Sequence, residues 1–213
     1  MDIKELIEEF LEDKEIMKNE RIYNEFSLQF ELGFYLRNQG YEVYFEKNIT
    51  EQIVSGDKLD KRNKKDIKKD YKKTEMDLLV VDGNKKYGIE LKYPTNGAQQ
   101  RRMPQFLEDL HFMERVKEKL DFTKTYCLTL VNIERKGKPF IAETTKDCKA
   151  IYSFFRAKSK FDINAKFFTA EYIINKDELK KKKIRSYDIS RKEPVTWINT
   201  EKNNFWYYLI EAK

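Results

Sequence analysis

Residues 75–93 read EMDLLVVDGNKKYGIELKY: an apolar run from Met76 to Val81, the turn residues Asp82-Gly83-Asn84, and an alternating run from Tyr87 to Tyr93. This is the pattern of two strands joined by a tight turn. A two-residue loop at Gly83-Asn84 sets Asp77 directly opposite Glu90. A turn at Asp82-Gly83 shifts the pairing by two and still leaves Asp77, Glu90 and Lys92 on one face. Two carboxylates about 5 Å apart across a strand pair repel one another unless positive charge sits between them. Asp77 also shares its face with Leu79 and Val81, so both faces of the strand are apolar and the strand is expected to be central. A buried carboxylate needs a partner. A divalent cation that takes one or two protein carboxylates and leaves its other positions to water or phosphate meets that need, and Lys92 brings an ammonium to the same face.

The flanking segments frame this hairpin. Ile22 to Gln39 has helical periodicity and stops at Gly40, a glycine suited to a helix C-terminus. Its apolar residues, Phe26, Leu28, Phe30, Leu32, Tyr35 and Leu36, cover the wide arc of a helix lying across a sheet. Glu25 and Gln29 fall on the arc of Leu28, Leu32 and Leu36, where polar groups ask for partners. Tyr41 to Ile49 alternates as a strand. Asp57 to Lys73 holds nine Lys or Arg against four Asp; its Lys61, Arg62, Lys64, Lys65, Lys68, Lys69, Lys72 and Lys73 form a basic arm suited to a phosphate backbone. After the hairpin, a helix is expected from about Pro104 to Leu120, with Pro104 in its first turn. Gln105 and Asp109 lie one turn apart on it, and His111 points away from them. Lys124 to Ile133 reads as a further strand.

Asp77, the gap, and then Glu90-Leu91-Lys92 resemble the PD-(D/E)xK nuclease superfamily, with Met76 standing where the motif name has proline. The resemblance covers Ile22 to Ile133 and implies an α/β fold. That fold is a restriction-endonuclease-like core, a mixed central β-sheet flanked by helices in the order α-β-β-β-α-β. It implies Asp77 and Glu90 as magnesium ligands, with manganese able to substitute, and the Leu91 carbonyl as a further oxygen. Lys92 would position or deprotonate the attacking water. Glu25 is the first candidate for a carboxylate lent by the preceding helix, and Glu31 the second. Gln29 and Gln105 are candidate supporting polar residues. The activity implied is metal-dependent hydrolysis of DNA phosphodiesters by an endonuclease of restriction, defence or repair type, acting on double-stranded or branched DNA. A homodimer with two-fold related clefts would favour staggered cutting or junction resolution. The alternatives are a non-catalytic nucleic-acid-binding module on the same fold and an RNA nuclease.

Composition bounds the rest. The 213 residues fit one domain, with an N-terminal helix over 2–19, a core over 22–133 and a β-rich C-terminal extension over 134–213. Plentiful aromatics, 13 Tyr and 15 Phe against 7 Gly, indicate a packed chain, and the net charge of +6 favours polyanions. Cys127, Cys148 and the lone His111 give neither a disulfide framework nor a zinc site. The acidic, amphipathic N-terminus is no signal peptide and no apolar run reaches membrane-spanning length, so a cytoplasmic protein is expected. In the extension, 167–175 reads as a strand, and Trp197-Ile198 with Phe205 to Ile210 as closing strands around a turn at 200–203. Their aromatics are expected in the core, and Lys180 to Lys183 with Arg185 form a second basic cluster.

Overall fold

A computed structural model describes residues 2–18, 20–49, 75–95, 99–132, 156–157, 167–171, 195–200 and 204–213, with the backbone alone for 99–104, 156–157 and 167–171. The elements are α1 (Ile3–Glu12), α2 (Glu25–Asn38), β1 (Glu42–Asn48), β2 (Glu75–Asp82), β3 (Lys85–Lys92), α3 (Gln99–Lys119), β4 (Lys124–Asn132), β5 (Arg156–Ala157), β6 (Phe167–Glu171), β7 (Thr196–Asn199) and β8 (Phe205–Glu211). The basic arm around 57–73, Cys148 and the cluster at 180–185 lie outside the described residues.

The fold is mixed α/β around one mixed sheet, ordered β1-β2-β3-β4-β8-β7-β6-β5. β3 and β4 run parallel with α3 as their crossover, and the other neighbours are antiparallel. A parallel pair needs such a long connection, whereas β2 and β3 need only Gly83-Asn84. Gly83 takes φ +57, a left-handed value that glycine adopts without a steric penalty. The C-terminal chain returns as a β7–β8 hairpin, closed by the Thr200 amide donating to the Phe205 carbonyl, and β8 lies against β4.

Helices cover both faces. Leu28, Leu32 and Leu36 of α2 and the apolar stripe of α1 share a core with Val43, Leu78, Val80, Ile89, Tyr126, Leu128 and Leu130. On the other face the Thr125 hydroxyl donates to the Met113 carbonyl of α3. Because neighbouring strand residues point to opposite sides, Thr125 and Tyr126 assign α3 to one face and α1 with α2 to the other. The expected core aromatics of the C-terminal strands are there: Trp197, Phe205, Trp206, Tyr207 and Tyr208 are all buried.

Three helix boundaries differ from expectation. α1 ends at Glu12, well before Asn19, because the Asp13 side chain accepts the amides of Glu15 and Ile16 and draws the backbone into a turn. α2 starts at Glu25 and not at Ile22, since Asn24 caps it: its side chain accepts the Ser27 amide at 2.7 Å while Ser27 Oγ accepts the Asn24 amide. α3 starts at Gln99, which puts Pro104 in its second turn. The wide apolar arc of α2 is also only partly buried. Phe26, Phe30 and Phe34 form an exposed ladder one turn apart, with Phe26 66% accessible. Gly33 explains the close seat of the helix, since a β-carbon there would collide with the Phe45 ring of β1.

Candidate active site

The β2–β3 ladder has the register of a Gly83-Asn84 loop and runs from Asp82↔Lys85 to Leu78↔Ile89. It stops one pair short of Asp77 and Glu90. There the Leu91 amide donates instead to Oδ2 of Asp77 at 2.7 Å, so a side chain replaces a strand partner. The β1–β2 ladder is interrupted at the same level: Phe45↔Leu78 is followed by Lys47↔Met76, skipping Glu46 opposite Asp77. Glu46 takes φ +47, a left-handed value that costs a residue with a β-carbon roughly 1–2 kcal/mol.

Side-chain direction slips at this level too. Residues two apart on a regular strand share a face, yet Met76 reaches Gly88 and Met113 on the α3 side while Leu78 reaches Gly33 on the α2 side. The carbonyl of Asp77 is taken up by Gln29 Nε2 at 2.7 Å, and the same amide nitrogen donates to Glu46 Oε1 at 2.7 Å. Gln29 is only 4% exposed, so these bonds satisfy an amide that would otherwise be costly to bury.

Lys92, at the end of β3, spans the gap between the two helix layers. Its Nζ lies 3.2 Å from Asp109 Oδ2 on α3 and 3.6 Å from Glu25 Oε1 in the first turn of α2, and donates to the Leu91 carbonyl at 2.8 Å. The other oxygen of Glu25 accepts the Tyr93 amide at 3.2 Å. Glu90 is 1% exposed and Asp109 5%. Below them, burial holds the Tyr208 phenol well above its ordinary value. A hydrogen bond with Thr129 opposes that shift, and Cys127 and Asp109 reinforce it.

Glu25 and Asp109 thus flank Lys92 at the open end of the hairpin, where Asp77 holds the Leu91 amide and the buried Glu90 is the residue before it. Among the described residues, no three or more His, Cys, Asp or Glu side chains converge as a ready-made metal centre. A magnesium ion does not require one, since one or two carboxylates with water and substrate phosphate suffice. The donors at hand, Asp77, Glu90 and the Leu91 carbonyl, are all oxygens, which suits that ion in kind.

Of the residues singled out in the sequence, Asp77, Glu90, Leu91, Lys92, Glu25 and Gln29 come to this end of the hairpin. Glu31 does not; it pairs with Arg21 at 2.7 Å. Gln105 is exposed, and the α3 residue that enters the site is Asp109, one turn further on. His111 lies two residues beyond it, half-buried. Asp109 and Glu46 were not among the expected site residues. The helical spacing from Gln105 was a signal for Asp109, whereas nothing in the alternation of Tyr41 to Ile49 distinguishes Glu46.

In comparisons with known proteins, no family model, no curated protein and no solved structure matches the chain. No helix among the described residues is long and apolar enough to cross a membrane.

Proposed function

We propose that the chain is a metal-dependent nuclease with a restriction-endonuclease-like core that hydrolyses DNA phosphodiester bonds. The observation that carries this reading is that the β2–β3 ladder gives way at Asp77 and Glu90, where the Asp77 carboxylate takes the Leu91 amide and Lys92 Nζ donates to the Leu91 carbonyl. The element order α2-β1-β2-β3-α3-β4 supports the same core.

In this proposal Asp77, Glu90 and the Leu91 carbonyl would hold magnesium, or manganese in its place. An ion held there would supply positive charge to the phosphate and lower the pKa of a water it binds. Lys92 would position the attacking water or, in its neutral form, take the proton that this water loses as its oxygen bonds to phosphorus. Asp109 and Glu25 keep the ammonium in place, with Glu25 further fixed by the Tyr93 amide. The basic arm before β2 follows the phosphate backbone without reading sequence.

The test is cleavage of linear, circular and branched DNA with magnesium or manganese, comparing the parent with Lys92→Ala. Metal-dependent products should appear with the parent and fall by about 10²–10⁴-fold in the variant, the range for a lost proton-transfer group. A parent that cuts no DNA, or a variant that cuts like the parent, overturns the proposal.

A further inference from the structure

Asp77 holds its carboxylate toward Leu91 while forming a ladder pair with neither neighbouring strand, and the side chain that takes its carbonyl comes from outside the β2–β3 hairpin. Asp77 faces Glu90 on one side and Glu46 on the other, and neither position forms a ladder pair with it. Its carbonyl is captured by Gln29 Nε2, and the second hydrogen of that amide is captured by Glu46 Oε1.

This arrangement has a direction. An amide group can turn over, presenting its oxygen where its nitrogen was. An inverted Gln29 would set its oxygen against two acceptors, the Asp77 carbonyl and the Glu46 carboxylate. Glu46 therefore selects the donor orientation that the Asp77 carbonyl requires. A bond to a charged acceptor is the stronger kind, and this one is at a short distance. The left-handed backbone of Glu46 takes it out of the ladder while its carboxylate meets Gln29. A backbone conformation that is costly and sits beside a candidate site is the kind of outlier from which function can be inferred.

We infer that Glu46 is a positioning residue, which through Gln29 fixes the place of Asp77 and so the geometry of the proposed metal site. The structural half stands by itself; the functional half rests on the nuclease reading. Glu46 touches neither Lys92 nor Glu25 in the contacts above, so its effect on chemistry passes through Gln29 and Asp77.

The Leu91 amide is a built-in reporter, because its acceptor is the Asp77 carboxylate. Hydrogen exchange of that amide in the full chain, measured by NMR relative to the amides of the intact Leu78–Asp82 and Lys85–Ile89 ladder, reads the position of Asp77 without any assay of activity. Glu46→Ala should speed Leu91 exchange by about tenfold over the ladder amides, the order expected for losing one charge-assisted bond. Glu46→Gln keeps an acceptor oxygen and should restore slow exchange, which a role limited to overall charge or stability would not do. Gln29→Leu should match Glu46→Ala. A uniform change across the hairpin, or no change at Leu91 in Glu46→Ala, overturns the inference. Manganese titration of the same proteins provides the functional arm, with affinity about tenfold weaker in Glu46→Ala and restored in Glu46→Gln. A selective Leu91 change in Glu46→Ala, beside a parent that binds no manganese and cuts no DNA, would uphold the positioning role and remove the nuclease reading alone. Unchanged manganese affinity in Glu46→Ala, beside a parent that binds the ion, would overturn the functional half.

Discussion

Two strand pairs of the same sheet solve the same problem differently. β4 and β8 pair without a break from Tyr126↔Glu211 to Asn132↔Phe205. Their faces are filled by Tyr126, Leu128 and Leu130 on one side and Trp206 and Tyr208 on the other. β2 and β3 begin as regularly at their turn, but at Asp77 and Glu90 the ladder yields to bonds between side chains and backbone. Where apolar residues alternate, the backbone satisfies itself and burial supplies the stability. Where carboxylates occupy ladder positions, Leu91, Asp77 and Tyr93 find their partners in the side chains of Asp77, Gln29 and Glu25. One region holds the molecule together, and the other spends regularity to collect charge.

The contrast is sharpest if each region is truncated once. Trp206→Ala, removing a fully buried ring of β8 from beside Val131 of β4, should cost about 3–5 kcal/mol in urea denaturation. Cleavage per folded molecule should stay near the parent value. Lys92→Ala should show the reverse balance, with activity lost and a smaller fall in the denaturation midpoint, the part due to leaving Asp109 without its ammonium. Equal stability losses in the two variants would erase the distinction between the regions.

A smaller effect is expected at the border between them. Gly33→Ala forces the Phe45 ring from the surface of α2, an overpacking that costs about 1–3 kcal/mol and outweighs the gain in helix propensity of about 1 kcal/mol. Since Phe45 precedes Glu46, this variant should also lower cleavage, measured at a temperature where it remains folded. A more stable, fully active variant would show that the ring moves aside freely.

The smallest change lies far from the site. Lys124 Nζ meets Asp2 Oδ2 at 2.6 Å; that hydrogen bond, with some opposition from burial, holds the Asp2 carboxyl below its ordinary value and raises Lys124. A carboxyl depressed by folding stabilises fully above its unfolded pKa, near 3.8, and loses that contribution as pH falls through the depressed value. The raised lysine contributes below its unfolded pKa of 10.5 and loses its share as pH rises through the raised value. Both groups are about one-third exposed, so Asp2→Asn should cost under about 1 kcal/mol at neutral pH. The difference from the parent should shrink in acid denaturation curves as pH falls below 3.8 and through the depressed value.

What could be read in the sequence was what local pattern dictates. The hairpin follows from the turn residues and the alternation around them, with the structure choosing Gly83-Asn84 over Asp82-Gly83, and the helix before β1 follows from its periodicity and the stop at Gly40. That Glu25 and not Glu31 reaches the site follows from the arc it shares with Leu28 and Leu32. The parts that escaped depend on distant partners. Phe45-Glu46-Lys47 is an ordinary alternating triplet until Gln29, from another element, selects the middle residue. Asp109 differs from Gln105 only in how α3 docks on β3 and β4. Phe26 and Phe30 read as part of the wide apolar arc of α2, yet both are exposed and form a ladder with Phe34.

The most direct measurement is calorimetric titration of manganese into the parent, Asp77→Asn and Glu90→Gln, each folded at the working temperature. Saturable binding to the parent, lost in both variants, is the result expected if the open end of the β2–β3 hairpin holds a divalent ion. A parent that binds no manganese, or variants that bind it as the parent does, would contradict that claim.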